Sequence, residues 1–140
     1  MGNITFVGIS GSLRKASRNT GLLRCCAANL PQGVSLEIAD ISALPFYNAD
    51  MEKPAVVQQL VDQVSAADGL VLACPEYNYS LAPALKNALD WLSREPDLAP
   101  LADKTVCIVG AGGGMGTSRA QYHLRQVCVY LNLHVLNKPE

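Results

Sequence analysis

The feature that most constrains the fold is an alternation, kept up along the whole chain, between short apolar runs and segments of helical period. Strand-like runs occupy residues 3–10, 34–41, 69–75, 104–110 and 134–138. Helix-like segments fill the intervals at 18–30, 54–67, 80–94 and 117–133. In the second helical segment Val56, Val57, Leu60, Val61 and Val64 share one face; in the third, Leu81, Ala84, Leu85, Ala88, Leu89 and Leu92 do so. The fourth places Leu124, Val127, Cys128 and Leu131 at i, i+3, i+4 and i+7, and the first turns Leu22, Leu23, Cys26 and Leu30 inward. Strand and helix in strict succession predict a parallel sheet covered by helices on both faces, an α/β doubly wound fold. Runs one, three and four are almost continuously apolar, as strands covered on both sides must be, whereas run two alternates and is expected at an edge. The chain reaches NKPE straight after run five. The closing helix that such a sheet carries beside its first helix is therefore expected to be lacking, which would leave apolar sheet surface open.

Bulk properties narrow the function. A chain of 140 residues, 49% hydrophobic and 16% charged, reads as one globular domain over 1–140. A net charge of −1 offers no basic face for a nucleic acid. No apolar run approaches the roughly 18 to 20 residues of a membrane span, and neither a secretory leader nor a myristoylation signal opens the chain. The five cysteines are odd in number and form no CxxC, which suits a reduced, cytoplasmic protein with cysteines acting as small hydrophobes. His123 and His134 stand at no metal-ligand spacing from each other or from the cysteines. Trp91 reads as packing, His123 as structural or at a subunit contact, and Arg119 and Arg125 as solvated or interface charges.

In open parallel sheets, ligands bind beyond the carboxyl ends of the strands, so the loops after runs one, three and four are the candidates. The first, GISGSLRKASRN at 8–19, gathers Ser10, Ser12, Leu13, Arg14, Ser17 and Asn19 before a helix N-terminus. Free N–H groups, the helix dipole, hydroxyls and Arg14 favour an anion there, and a phosphate above all. A polar turn with Ser17 or Asn19 as helix cap is the plainer alternative. GxxxxGK[ST], GxGxxG and Cys-x5-Arg are all absent, which leaves a loop that holds a terminal phosphate without metal or nucleophile, as a mononucleotide such as FMN is held. The second loop, PEYNYSLAP at 75–83, offers Pro75, Glu76, Tyr77 and Asn78. Its backbone N–H groups suit the polar edge of an isoalloxazine; the alternative is a loop closed by prolines and capped by Asn78 or Ser80. The third, GAGGGMG at 110–116, contributes Gly110, Ala111, Gly112 and Gly113, glycines that imply close backbone approach or unusual dihedrals. It suits a cofactor wall or a substrate entrance, and on its own reads equally as a flexible loop.

GSLRKASRN, PEYNYSLAPALKNALDWLSR and RAQYHLRQVCVYLNLHVLNKPE together resemble the NADPH-dependent FMN reductase family of flavodoxin-like proteins, which includes quinone, chromate and azo-dye reductases. The resemblance implies a flavodoxin-like five-stranded sheet of order 2-1-3-4-5 and non-covalent FMN, with NADPH or NADH as co-substrate. A small-molecule electron acceptor follows: a quinone, free flavin, azo compound or chromate. It places Ser12, Arg14, Ser17 and Asn19 in the phosphate loop, Pro75 to Asn78 in the isoalloxazine loop and Gly110 to Gly113 beside the flavin. It also implies a homodimer or homotetramer and names no catalytic side chain, because the flavin carries the redox chemistry. The chain departs from the family in its almost all-glycine third loop and in its end at NKPE. Two other readings share the fold: a non-enzymatic FMN-binding carrier or sensor, disfavoured by the near-neutral charge, and a cofactor-free module.

Overall fold

The computed structural model describes residues 3–138. These residues hold seven strands, β1 (Ile4–Ser10), β2 (Val34–Ala39), β3 (Gly69–Ala73), β4 (Glu76–Tyr77), β5 (Ser80–Leu81), β6 (Thr105–Val109) and β7 (His134–Val135), a short 3-10 helix at Pro96–Leu98 and four α-helices. The α-helices are α1 (Arg18–Ala28), α2 (Ala55–Ala66), α3 (Pro83–Leu92) and α4 (Ser118–Tyr130). The main sheet runs β2-β1-β3-β6-β7, and every pairing in it is parallel. Numbered among themselves, its strands follow the expected order 2-1-3-4-5, with run two at the edge. Register matters most for the site. Ser10 lies opposite Ala73, and Ala73 opposite Val109, so the three central strands end level and release their loops side by side.

The two faces of the sheet are covered unequally. On one, Val57, Leu60, Val61 and Val64 of α2, Leu85, Ala88, Leu89 and Leu92 of α3, and Leu124 and Cys128 of α4 pack on Val7, Ile9, Leu70, Leu72 and Val106. A fully buried leucine there is worth roughly 1.5–3 kcal/mol. On the other face Leu23 of α1 closes over Val71 and Ala73, and Phe6, Leu36, Ile38, Cys107 and Val109 are only partly buried around them. Of the α1 residues expected inward, Leu23 alone is sealed; Leu22, Cys26 and Leu30 stay half-exposed. One helix is too narrow to close a face that five strands present, and among the described residues no helix follows β7.

The third helix differs from expectation at its start. It begins at Pro83 instead of residue 80, because proline at the first helical position sets the dihedral and needs no N–H partner. Residues 76–81 form the antiparallel hairpin β4–β5, turning through Asn78 (φ 50°) and Tyr79 (φ 67°). Two successive positive φ values are what a two-residue hairpin turn demands. Neither Asn78 nor Ser80 caps α3, whose N-cap is Ala82. Trp91 is buried, and its indole N–H donates to the Pro45 carbonyl at 2.8 Å. Burial pushes the Cys74 and Cys128 thiols up to about 11, so both behave as small core hydrophobes; Cys25 is exposed.

Candidate functional site

The three level strand ends open into a cleft of about 830 Å³. Ser12, Arg14, Ala16, Ser17, Arg18 and Asn19 line it from the first loop, Pro75, Glu76 and Tyr77 from the second, and residues 111–116 with Arg119 from the third and the start of α4. Four residues expected at the site do not line this cleft. Ser10 is buried, Leu13 lines an adjoining cavity with Arg14 and Tyr77, Asn78 occupies the hairpin turn, and Gly110 faces a smaller neighbouring cleft. Ala16, Arg18, Gly114, Met115, Gly116 and Arg119 join the lining without having been expected. For Arg119 a signal existed: a cation in the first turn of a helix opposes the dipole unless an acid is brought to it.

The first loop is braced from within. Ser10 Oγ accepts from the Thr20 hydroxyl at 2.8 Å and from the Ser12 N–H at 3.3 Å. Ser17 is the N-cap of α1 and accepts from the Thr20 N–H at 3.1 Å, so the plainer reading of that residue holds. Asn19 is spent on another loop: its side-chain amide donates to the Ala111 carbonyl at 3.1 Å and accepts from the Ala111 N–H at 3.0 Å. The side chain expected among phosphate ligands therefore ties the first loop to the third. What remains for an anion is the first-turn N–H groups of Arg18 and Asn19, which the helix does not satisfy internally and the Ser17 cap does not take, together with the exposed Arg14 and Arg18 side chains.

The second loop is fixed by charge. One oxygen of Glu76 accepts from the backbone N–H groups of Arg119 and Ala120 at 3.1 and 3.3 Å. The other meets the Arg119 guanidinium through Nε at 2.7 Å and Nη2 at 2.6 Å. Desolvation raises the Glu76 pKa, but the hydrogen bonds and charge of Arg119 and the Ala120 N–H outweigh it, and the net shift is downward. The Arg119 guanidinium also lies 3.7 Å from the centre of the Tyr79 ring, and Ser80 Oγ is 2.9 Å from His123 Nδ1.

The third loop is shaped by absence of side chains, for two different reasons. A Cβ at Gly110 would run into Thr117 Oγ1, and one at Gly112 into the Gly116 carbonyl. At Gly113 and Gly114 a Cβ would meet nothing in the protein, so these two leave the cleft wall bare. The donor set, a cationic loop at a helix N-terminus beside a fixed hairpin and a bare wall, fits a phosphate-bearing planar cofactor. Among the described residues, no cluster of His, Cys, Asp and Glu could hold a metal ion.

Comparison with known proteins bears on the family and the fold. The chain is 50% identical over 142 residues to an NAD(P)H-dependent FMN reductase of Pseudomonas aeruginosa, covering 99% of this chain and 76% of that protein. It is 48% identical over 145 residues to an NAD(P)H:quinone oxidoreductase of Solanum tuberosum, covering 98% and 73%. A solved flavoenzyme NAD(P)H:(acceptor) oxidoreductase of Paracoccus denitrificans superposes with a TM-score of 0.92 at 28% identity, over 98% of this chain and 77% of that one. The model of the family matches residues 4–140, and the chain belongs to the NADPH-dependent FMN reductase family.

Proposed function

We propose that the chain is an NAD(P)H-dependent FMN oxidoreductase that passes electrons to a small-molecule acceptor, with a quinone favoured by the relatives' names. The observation that carries this reading is the convergence of three loops on one cleft: a cationic helix N-terminus, a fixed hairpin and a bare glycine wall. Ser12, Arg14 and the first-turn N–H groups of α1 would hold the phosphate. Residues 75–77 would flank the ring on one side, and residues 111–114 on the other. FMN, when bound, supplies the redox chemistry.

The chain's own groups bind, orient and exclude water. Glu76 is not a proton donor: its carboxylate is ionised and engaged by N–H donors of Arg119 and Ala120. The neutral balance of charge favours an enzyme over a carrier with an acidic docking face. Tyr122, Val129 and Tyr130 stand exposed on α4, which supports a homodimer or homotetramer, and the free cysteines support a cytoplasmic setting. No helix among the described residues is long and apolar enough to cross a membrane.

The test is a visible spectrum of the purified protein after removal of excess FMN, followed by anaerobic NADPH. Flavin bands that bleach support the reductase; bands that persist point to a carrier, and no bands after soaking point to a cofactor-free module. Arg14→Ala is expected to weaken FMN binding by about 1.5–3 kcal/mol, the range for hydrogen bonds to charged groups. An unchanged affinity in a fluorescence titration would remove Arg14 from the phosphate site.

A further inference from the structure

Two walls of the cleft, far apart in the chain, are joined by one ion pair. The third loop runs directly into α4, so the first turn of α4 is its far anchor. That turn has no cap of its own, since the Thr117 side chain makes no capping hydrogen bond. Glu76 does the capping from the opposite wall, accepting from the N–H groups of Arg119 and Ala120. Arg119 grips the same carboxylate and lies over Tyr79, on the turn of the hairpin that carries Glu76. The Glu76 side chain is only 9% exposed and Arg119 38%. Pairing at such a site is strongly geometry-dependent, and removing one member leaves the other partly desolvated and unmatched.

We propose that Glu76 and Arg119 are a positioning pair that sets the separation of the hairpin and glycine walls, and with it the affinity of the cleft for FMN. The proposal rests on the flavin reading given above. Neither charge needs to touch the cofactor for this: the hairpin pairs only with itself and leans on α4 instead of on the main sheet, so its position follows from what holds it there. Ser80 and His123 add a second tie between the same two elements. The pair thus fixes the orientation of the walls, while their shape comes from the turn at Asn78 and Tyr79 and from the glycines.

The experiment is an FMN titration of the full chain, followed by fluorescence quenching and by the visible circular dichroism of the bound flavin. Glu76→Gln keeps the shape and an oxygen for the helix N–H groups but removes the charge; Arg119→Met removes the other charge. Each is expected to raise Kd about tenfold, the scale at which orienting partners act on a bound group, and to alter the flavin dichroism. The double variant, in which no charge is left unmatched, is expected within about twofold of the weaker single, as members of one unit must be; it also serves if a single variant folds poorly. Arg119→Lys, which keeps charge without the fork, should recover part of the loss. Lys53→Ala, which breaks an exposed ion pair to Glu95 elsewhere, should leave Kd unchanged. Wild-type affinity and dichroism in Glu76→Gln, or single effects that simply add, would overturn the proposal. A wild-type chain that takes up no FMN would instead overturn the flavin reading before any variant is made.

Discussion

The hairpin wall and the glycine wall border the same cleft but are built by opposite means. Residues 76–81 are held by what their side chains reach: Glu76 to Arg119 and the α4 backbone, Ser80 to His123. Residues 110–116 are held by what their side chains lack, since Gly110 and Gly112 let the loop fold down against Thr117 and Gly116. The difference teaches where each wall is fragile. A charge change loosens the first and a methyl group disrupts the second, so substitutions on the two walls should separate affinity from stability.

The largest effect is expected at Gly110. An alanine there drives its Cβ into the Thr117 side chain, which is itself buried, and comes within 2.9 Å of the Cys74 carbonyl. The Cys74 carbonyl is backbone, and the Thr117 Cβ, also 2.9 Å away, moves only with its own backbone, so full relief requires a shift at the end of β6 or the start of α4. Gly110→Ala should cost about 1–3 kcal/mol, the usual range for overpacking, seen as a lower midpoint in urea. Adding Thr117→Gly should recover part of it, because the nearest atoms are then gone while the Cys74 carbonyl stays in place. A single variant as stable as wild type would mean that the glycine wall is not set by contact at all.

Asn19 comes next, as the tie between the first loop and the glycine wall. Asn19→Ala leaves both the N–H and the carbonyl of Ala111 without their partner, each part-buried. About 1–3 kcal/mol of stability should be lost, the cost of an unmade buried hydrogen bond. If Asn19 instead met the phosphate directly, FMN affinity would fall while the stability of the cofactor-free chain stayed put.

Asn19 also shows the limit of what was legible in the chain. The element order and the loops that converge were readable, because apolar period and strand-end position are local properties with a repeating signature. The partners of Asn19 and Arg119 were not. These lie 92 and 43 residues away, and no period connects an amide to a backbone at that distance. The hairpin at 76–81 escaped for a related reason: PEYNYSLAP carries no glycine at its turn, and Asn78 and Tyr79 take the positive φ values that a two-residue hairpin turn demands. In the first loop, Ser10 looked like a ligand and is a brace, since a hydroxyl that binds an anion and one that holds a turn are the same residue in a sequence.

The smallest effect is the sharpest discriminator between the walls. At Gly114 the backbone takes no positive φ and an added methyl meets no atom of the protein. Gly114→Ala should leave the cofactor-free chain within about 0.5 kcal/mol of wild type, as surface changes do. The same methyl projects from a residue that lines the cleft, so any effect must appear on binding. A loss of FMN affinity without a loss of stability would show that the bare part of the wall is kept clear for the ligand. A loss of stability would instead place Gly114 with Gly110 and Gly112, as glycine required by the fold.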